Sequence, residues 1–88
     1  MNLPFKEQIK EGYYIRTFSE DISEIELKWH FDEEDRIVLC EDDSDWYFQF
    51  DNELPIQLKK NKSLMIPKNR YHRIIKGTNN LKLKIKKL

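Results

Sequence analysis

The chain predicts an all-β fold, an antiparallel sandwich or barrel of about eight short strands, on three observations. Hydrophobicity alternates with a period of two almost throughout. Clusters of turn-forming residues, "EDDSD", "KNKS" and "GTNN", separate the alternating runs. Only "PFKEQIKE" carries helical spacing, with Pro4 in a first-turn position and Phe5 and Ile9 one turn apart, which allows a short N-terminal helix there.

Strands are expected at Tyr13–Phe18, Glu24–His30, Arg36–Glu41, Trp46–Asp51, Ile56–Lys59, Leu64–Ile66, Tyr71–Lys76 and Leu81–Lys87. The last is the plainest: in "LKLKIKKL", Leu81, Leu83 and Ile85 share one face and Lys82, Lys84 and Lys86 the other. Trp46, Phe48 and Phe50 form a second apolar row, assigned to the core, with Tyr47, Gln49 and Asp51 opposite. Pro55 and Pro67 are placed at strand starts, where a missing backbone donor is tolerated.

Eighty-eight residues without repeat, linker or low-complexity segment read as one domain, residues 1–88. A chain this short buries only about 60–65% of its unfolded surface, which argues against a large internal cofactor. With 39% hydrophobic residues the chain nevertheless has the material for a core. No run approaches the roughly 20 apolar residues that span a bilayer, and the N-terminal "MNLPFKEQIKEG" lacks the apolar centre of a secretion signal, so the cytoplasm is the expected compartment. The single Cys40, inside the apolar run "RIVLC", reads as a small buried hydrophobe with no base nearby in sequence to activate it.

The formal net charge of zero hides a segregation. All sixteen acidic residues lie at or before Glu53, against five basic ones, so that segment carries −11 and the remainder +11. A basic tail for nucleic acid would interleave aromatic rings with lysines, whereas here the aromatics lie mostly in the acidic half. The favoured reading is that the two halves interleave in one sheet and their charges pair across strands; nucleic acid is not an expected partner.

His30 and His72 are the only histidines, and "WHFDEEDR" sets Asp32, Glu33, Glu34 and Asp35 within five residues of His30. Two imidazoles and a carboxylate suit iron(II), manganese or zinc, because neutral nitrogens and one anion hold a divalent ion while leaving positions open for water or substrate. Strict alternation in "EIELKWH" puts His30 on the face opposite Ile25, Leu27 and Trp29, so an inward His30 requires a bulge at Trp29–His30 or a strand that ends there.

"KWHFDEE" and the later "IPKNRYH" resemble the two motifs of the cupin family, small β-barrels of jelly-roll topology. In the first motif Lys28 stands where a first histidine is expected, His30 takes the second and Glu34 fits the glutamate. In the second, Pro67 and His72 match, and Asn69 replaces the usual glycine, a mild change since Asn tolerates the left-handed backbone. The resemblance, over Glu24 to Ile85, implies a metal set of His30, Glu34 and His72. Asp32 is the alternative carboxylate, because His30-Phe31-Asp32 also matches the H-x-D pair of 2-oxoglutarate-dependent oxygenases. A protonated lysine cannot ligate a metal, so Lys28 keeps open a metal-free cupin scaffold acting as a ligand-binding or interaction module, in which Lys28 pairs with Glu34.

Gln49, Arg36 and Arg73 are the candidate contacts for a small polar or anionic ligand, the arginines through paired donors. Catalysis is left open. A homodimer is expected, since a lone sandwich of this size exposes strand edges.

Overall fold

The computed structural model describes residues 5–23 and 27–88. Among the described residues there are eight strands and no helix. They are β1 (Lys6–Ile9), β2 (Tyr14–Phe18), β3 (Arg36–Cys40), β4 (Tyr47–Phe50), β5 (Ile56–Gln57), β6 (Ser63–Ile66), β7 (His72–Ile75) and β8 (Leu81–Lys87). Five form one sheet in the order β1-β2-β8-β3-β6, and three form a second in the order β5-β4-β7, every pair antiparallel.

The N-terminal segment with helical spacing is a strand. Lys6–Ile9 pairs with β2, Lys6 opposite Thr17 and Ile9 opposite Tyr14, although all four of its side chains are exposed. A helix of this length is marginal in water because its nucleus fixes many dihedrals for few hydrogen bonds, whereas the open edge of β2 offers partners at once. Gly12, at φ 84°, lets the connecting turn close where a side chain would be strained.

The expected strand Glu24–His30 does not form over the residues that can be followed: 24–26 lie outside the described residues, 27–29 have no strand pairing, and His30 makes a lone bridge. Pro67 follows the last residue of β6 rather than opening a strand, and its missing N–H falls where the ladder has already ended.

The core lies between the sheets. Tyr14, Phe18, Val38, Leu81, Leu83 and Ile85 come from the five-stranded side, and Phe48 and Phe50 from the three-stranded side, next to Trp46, which is fully buried. The alternation in β8 is as the sequence predicts: Leu81, Leu83 and Ile85 are buried, Lys82 and Lys86 exposed. Trp46 satisfies its indole N–H by donating to the Asn79 carbonyl at 2.5 Å, as a buried donor must. Gly77 passes so close that a Cβ there would stand 2.5 Å from Trp46 Cδ1 and 2.8 Å from the Asp45 carbonyl carbon. Cys40 is buried and its thiol donates to the Asp42 carbonyl; burial pushes its pKa up, away from nucleophilic use.

Strand β8, rich in lysine, runs between β2 and β3 of the acidic half. Ion pairs cross between the halves at Lys87–Glu34 (3.4 Å) and Arg70–Glu53, so the opposite charges of the two segments meet in the fold.

Candidate metal centre and cavity

Two loops build the site. After Pro67 the chain turns, Arg70 N–H donating to the Pro67 carbonyl (3.3 Å), with Asn69 at φ 63° supplying the left-handed position that asparagine tolerates. This turn is tied to the acidic segment: Asn69 N–H donates to the Asp32 carbonyl (2.7 Å) and Lys68 N–H to Asp35 Oδ1 (2.8 Å). At its end His30 and His72 exchange backbone hydrogen bonds, His30 N–H to His72 O at 3.0 Å and the reverse at 2.9 Å. Two residues 42 apart in sequence are thus set directly opposite each other.

His72 points inward because its register partner is the core residue Phe50, and directly opposed residues share a face. Its ring stacks on Phe48, 5.2 Å between centroids at 24°, and only 3% of the residue is exposed. His30, exposed, lies edge-on to it with ring centroids 4.4 Å apart. The lone bridge resolves the alternation problem in "EIELKWH": without a continuous strand before it, His30 is free of strand alternation.

Both rings are oriented by backbone. His72 Nδ1 lies 2.9 Å from the Arg70 carbonyl and His30 Nδ1 3.0 Å from the Lys28 carbonyl. A carbonyl only accepts, so each Nδ1 carries the proton, and in the neutral ring Nε2 presents its lone pair. Burial holds His72 below the usual histidine range, partly offset by that carbonyl hydrogen bond, so its neutral form prevails at pH 7.

The carboxylate that joins them is Asp32, whose Oδ2 lies 3.5 Å from His72 Nε2. One ligand atom from each of His30, Asp32 and His72 falls within 4.8 Å of the others. Glu34 is engaged elsewhere: Arg36 donates to its Oε1 through Nε (3.2 Å) and Nη2 (2.8 Å), and Lys87 Nζ stands at 3.4 Å. The Arg36 hydrogen bonds hold the Glu34 carboxyl below the usual glutamate range. Glu34 is thus held by Arg36 and Lys87, not by Lys28. Arg36 also reaches Asp32 Oδ1 at 3.2 Å, leaving Oδ2 turned to the histidine. The one-residue spacing that separates Asp32 from His30 puts its carboxylate beside the rings, whereas Glu34 is drawn to the strand that carries Arg36.

His30 and His72 line a cavity of about 280 Å³ between the sheets. Its walls are mostly apolar, with Phe18, Val38, Phe48, Ile74, Leu83 and Ile85 among them. The charged side chains on the lining are Lys28, Arg16 and Arg36; none is a carboxylate. Of the ligand-contact candidates Gln49, Arg36 and Arg73, Arg36 lines the cavity and the other two do not. Arg73 Nε donates to Gln49 Oε1 (2.9 Å), and its guanidinium lies over Trp29 at 4.7 Å. Gln49 and Arg73 face each other across β4 and β7 on the outer side, one residue out of phase with the inward Phe48, Phe50 and His72. Arg16 is the lining residue the sequence reading passed over; its place between Tyr14 and Phe18 in an alternating strand put it on their inward face.

An eight-stranded jelly roll around a small cavity with a histidine pair at its wall is a cupin architecture, and this chain has the cupin fold. It is similar to a cupin 2 conserved barrel domain protein from Leptotrichia buccalis, at 24% identity over 92% of this chain and 38% of that one, TM-score 0.69. A cupin-like protein from Thermotoga maritima shares 16% identity over 93% of this chain and 65% of that one, TM-score 0.67. FeII HppE in complex with substrate matches all of this chain and 55% of its own, at 11% identity and TM-score 0.68. No protein-family model matches the chain, and no match is found among curated proteins.

Proposed function

We propose that this is a small cupin-fold protein that holds a divalent metal at His30, Asp32 and His72 and takes a small anionic ligand in the adjoining cavity. The observation that carries the reading is the opposition of acceptors. His72 Nε2, unprotonated, and Asp32 Oδ2 face one another at 3.5 Å with the His30 ring alongside, and two lone pairs so placed repel unless a cation lies between them. Metal–ligand bonds near 2 Å set neighbouring donors about 3–4 Å apart, so a group already within 4.8 Å closes on an ion by a small shift. The backbone carbonyls on both Nδ1 atoms are the outer hydrogen bonds that fix ligand histidines. Arg36 plays that part for Asp32.

Two nitrogens and one carboxylate suit Fe(II), Mn(II) or Zn(II), and such an ion would supply Lewis-acid or oxygen chemistry at its open positions. FeII HppE, similar in fold, carries iron(II) by its description, which supports the choice of metals to test. Calorimetric titration of chelator-treated protein with each ion is the test. Micromolar uptake at one ion per chain, lost in Asp32→Asn and His72→Ala, is expected; absence of uptake by the wild-type protein overturns the proposal.

Lys28 favours a second reading. It lines the cavity where the family's first motif has a histidine, so the site offers three protein ligands rather than four. In that reading the scaffold binds its ligand without metal, and chelator leaves both melting temperature and ligand affinity unchanged. Self-association in either case would draw on Ile37 and Met65, exposed and directly paired across β3 and β6, and sedimentation velocity tests it.

A further inference from the structure

We infer that Arg16 is the anchor for the ligand's anionic group, and that the ligand is a small carboxylic acid with an apolar body. This deepens the ligand half of the proposed function and rests on the cavity being a ligand site; it does not depend on the metal.

The inference starts from which cation has hydrogen-bonding capacity to spare. Arg36 is taken up by Asp32 and Glu34. Lys28 is an exposed residue, so water competes with a ligand for its charge. The half-buried Arg16 side chain makes no hydrogen bond among the described residues: its buried Nε has only Glu7 Oε2 near it, in an ion pair that is long at 3.5 Å. Its guanidinium carbon lies over two rings, 4.1 Å from the Phe5 centroid and 5.0 Å from that of Tyr14. A guanidinium placed in this way, with both Nη groups uncommitted, is a preformed fork for a planar carboxylate.

The rest of the cavity sets the other properties of the ligand. Three cations and no carboxylate are among its lining residues, so the charge on the wall favours an anion, with Glu7 the carboxylate that competes for Arg16. Phe18, Val38, Phe48 and Leu83 offer no hydrogen bonds, so the remainder of the molecule is apolar. A volume of about 280 Å³ lies just below the range of drug-sized sites, which limits the ligand to a compact acid. Seated on Arg16, it shares the cavity with His30 and His72.

The test is calorimetric titration with hexanoate and benzoate against their neutral isosteres hexanamide and benzamide, once with Mn(II) and once in chelator. The acids are expected to bind in both conditions, at least tenfold tighter than the amides. Arg16→Met should weaken acid binding by about ten- to a hundredfold, the effect of losing charge-assisted hydrogen bonds, while leaving metal stoichiometry intact. Glu7→Gln, on the exposed edge strand, removes the competing carboxylate and should strengthen acid binding; it serves if Arg16→Met fails to fold. Equal affinity for acid and amide, no binding of either acid, acid binding by Arg16→Met at wild-type strength, or acid binding that vanishes in chelator would each overturn the assignment. Loss of metal uptake with acid binding unchanged would instead overturn the metal proposal alone.

Discussion

His30 and His72 form an isolated antiparallel pair, each giving its N–H to the other's carbonyl, with their ring centroids 4.4 Å apart. One ring is exposed and the other buried to 3%, so the pair connects solvent to the interior. Because the main chain holds the two residues together, the rings are already placed side by side, which would reduce the ordering cost of the proposed metal binding.

Chelator should therefore lower the melting temperature of metal-loaded protein without unfolding it. At a free metal concentration 100 times the dissociation constant the ion adds about 2.7 kcal/mol, and removing it should return the protein to the stability of its own core. Differential scanning calorimetry with and without chelator reads the difference, and Asp32→Asn should abolish it.

The two acidic candidates separate by mutation. Glu34→Gln removes the charge that strengthens the hydrogen bonds from Arg36 yet leaves Asp32, His30 and His72 in place, so metal affinity should fall by less than about tenfold, in keeping with an outer partner. Asp32→Asn removes the anionic ligand and should lower affinity far more. Competition with a fluorescent chelator ranks the two; a larger loss for Glu34→Gln would move the centre to that residue.

Stability of the metal-free protein should decline with acid in two stages. Burial depresses the folded-state pKa of His72 below 6.5, so above that pH both states are neutral, and below it the unfolded ring takes up its proton first. Stability should fall as pH drops below 6.5, by at most about 1.4 kcal/mol per pH unit from this one proton. Glu34, held down by Arg36, and Asp45, held down by Thr78, stabilise the fold above 4.5 and 3.8 and lose that effect as pH falls through their lowered values. Urea midpoints from pH 3 to 8 measure the profile, and His72→Gln should remove the first stage.

Gly77→Ala should destabilise by about 1–3 kcal/mol, an overpacking effect, because the new methyl meets the fully buried Trp46 and the Asp45 backbone, neither of which has room to yield. Asp45 is further pinned by accepting from Thr78 N–H (2.9 Å) and Oγ1–H (2.5 Å). Urea denaturation reads the loss.

Asn69→Gly should be nearly neutral, whereas Asn69→Val should cost about 1–2 kcal/mol, since a branched side chain at φ 63° crowds the following carbonyl. The same change should loosen the Asn69 hydrogen bond to Asp32 and so weaken metal uptake.

Alternation carried most of the fold. The rows Leu81, Leu83, Ile85 and Trp46, Phe48, Phe50 were legible because a pleated strand sends successive side chains to opposite faces, and burial follows that period. At Lys6–Ile9 four exposed residues carry no burial signal to choose between helix and strand; only the free edge of β2 made them a strand. The motif spacing brought His30 and His72 forward as candidates, and it offered both Asp32 and Glu34 without a local means of choosing.

What the sequence determined by itself was the all-β class, the apolar faces and the short roster of ionisable groups, since these depend on residue type and on a period of two. What only the tertiary structure decided was which groups meet. Arg36 draws Glu34 to itself and turns Asp32 toward His72, and the register of β4 with β7 sends His72 inward and Arg73 outward. Those choices rest on contacts between residues distant in the chain, where an ångström of placement outweighs any local preference.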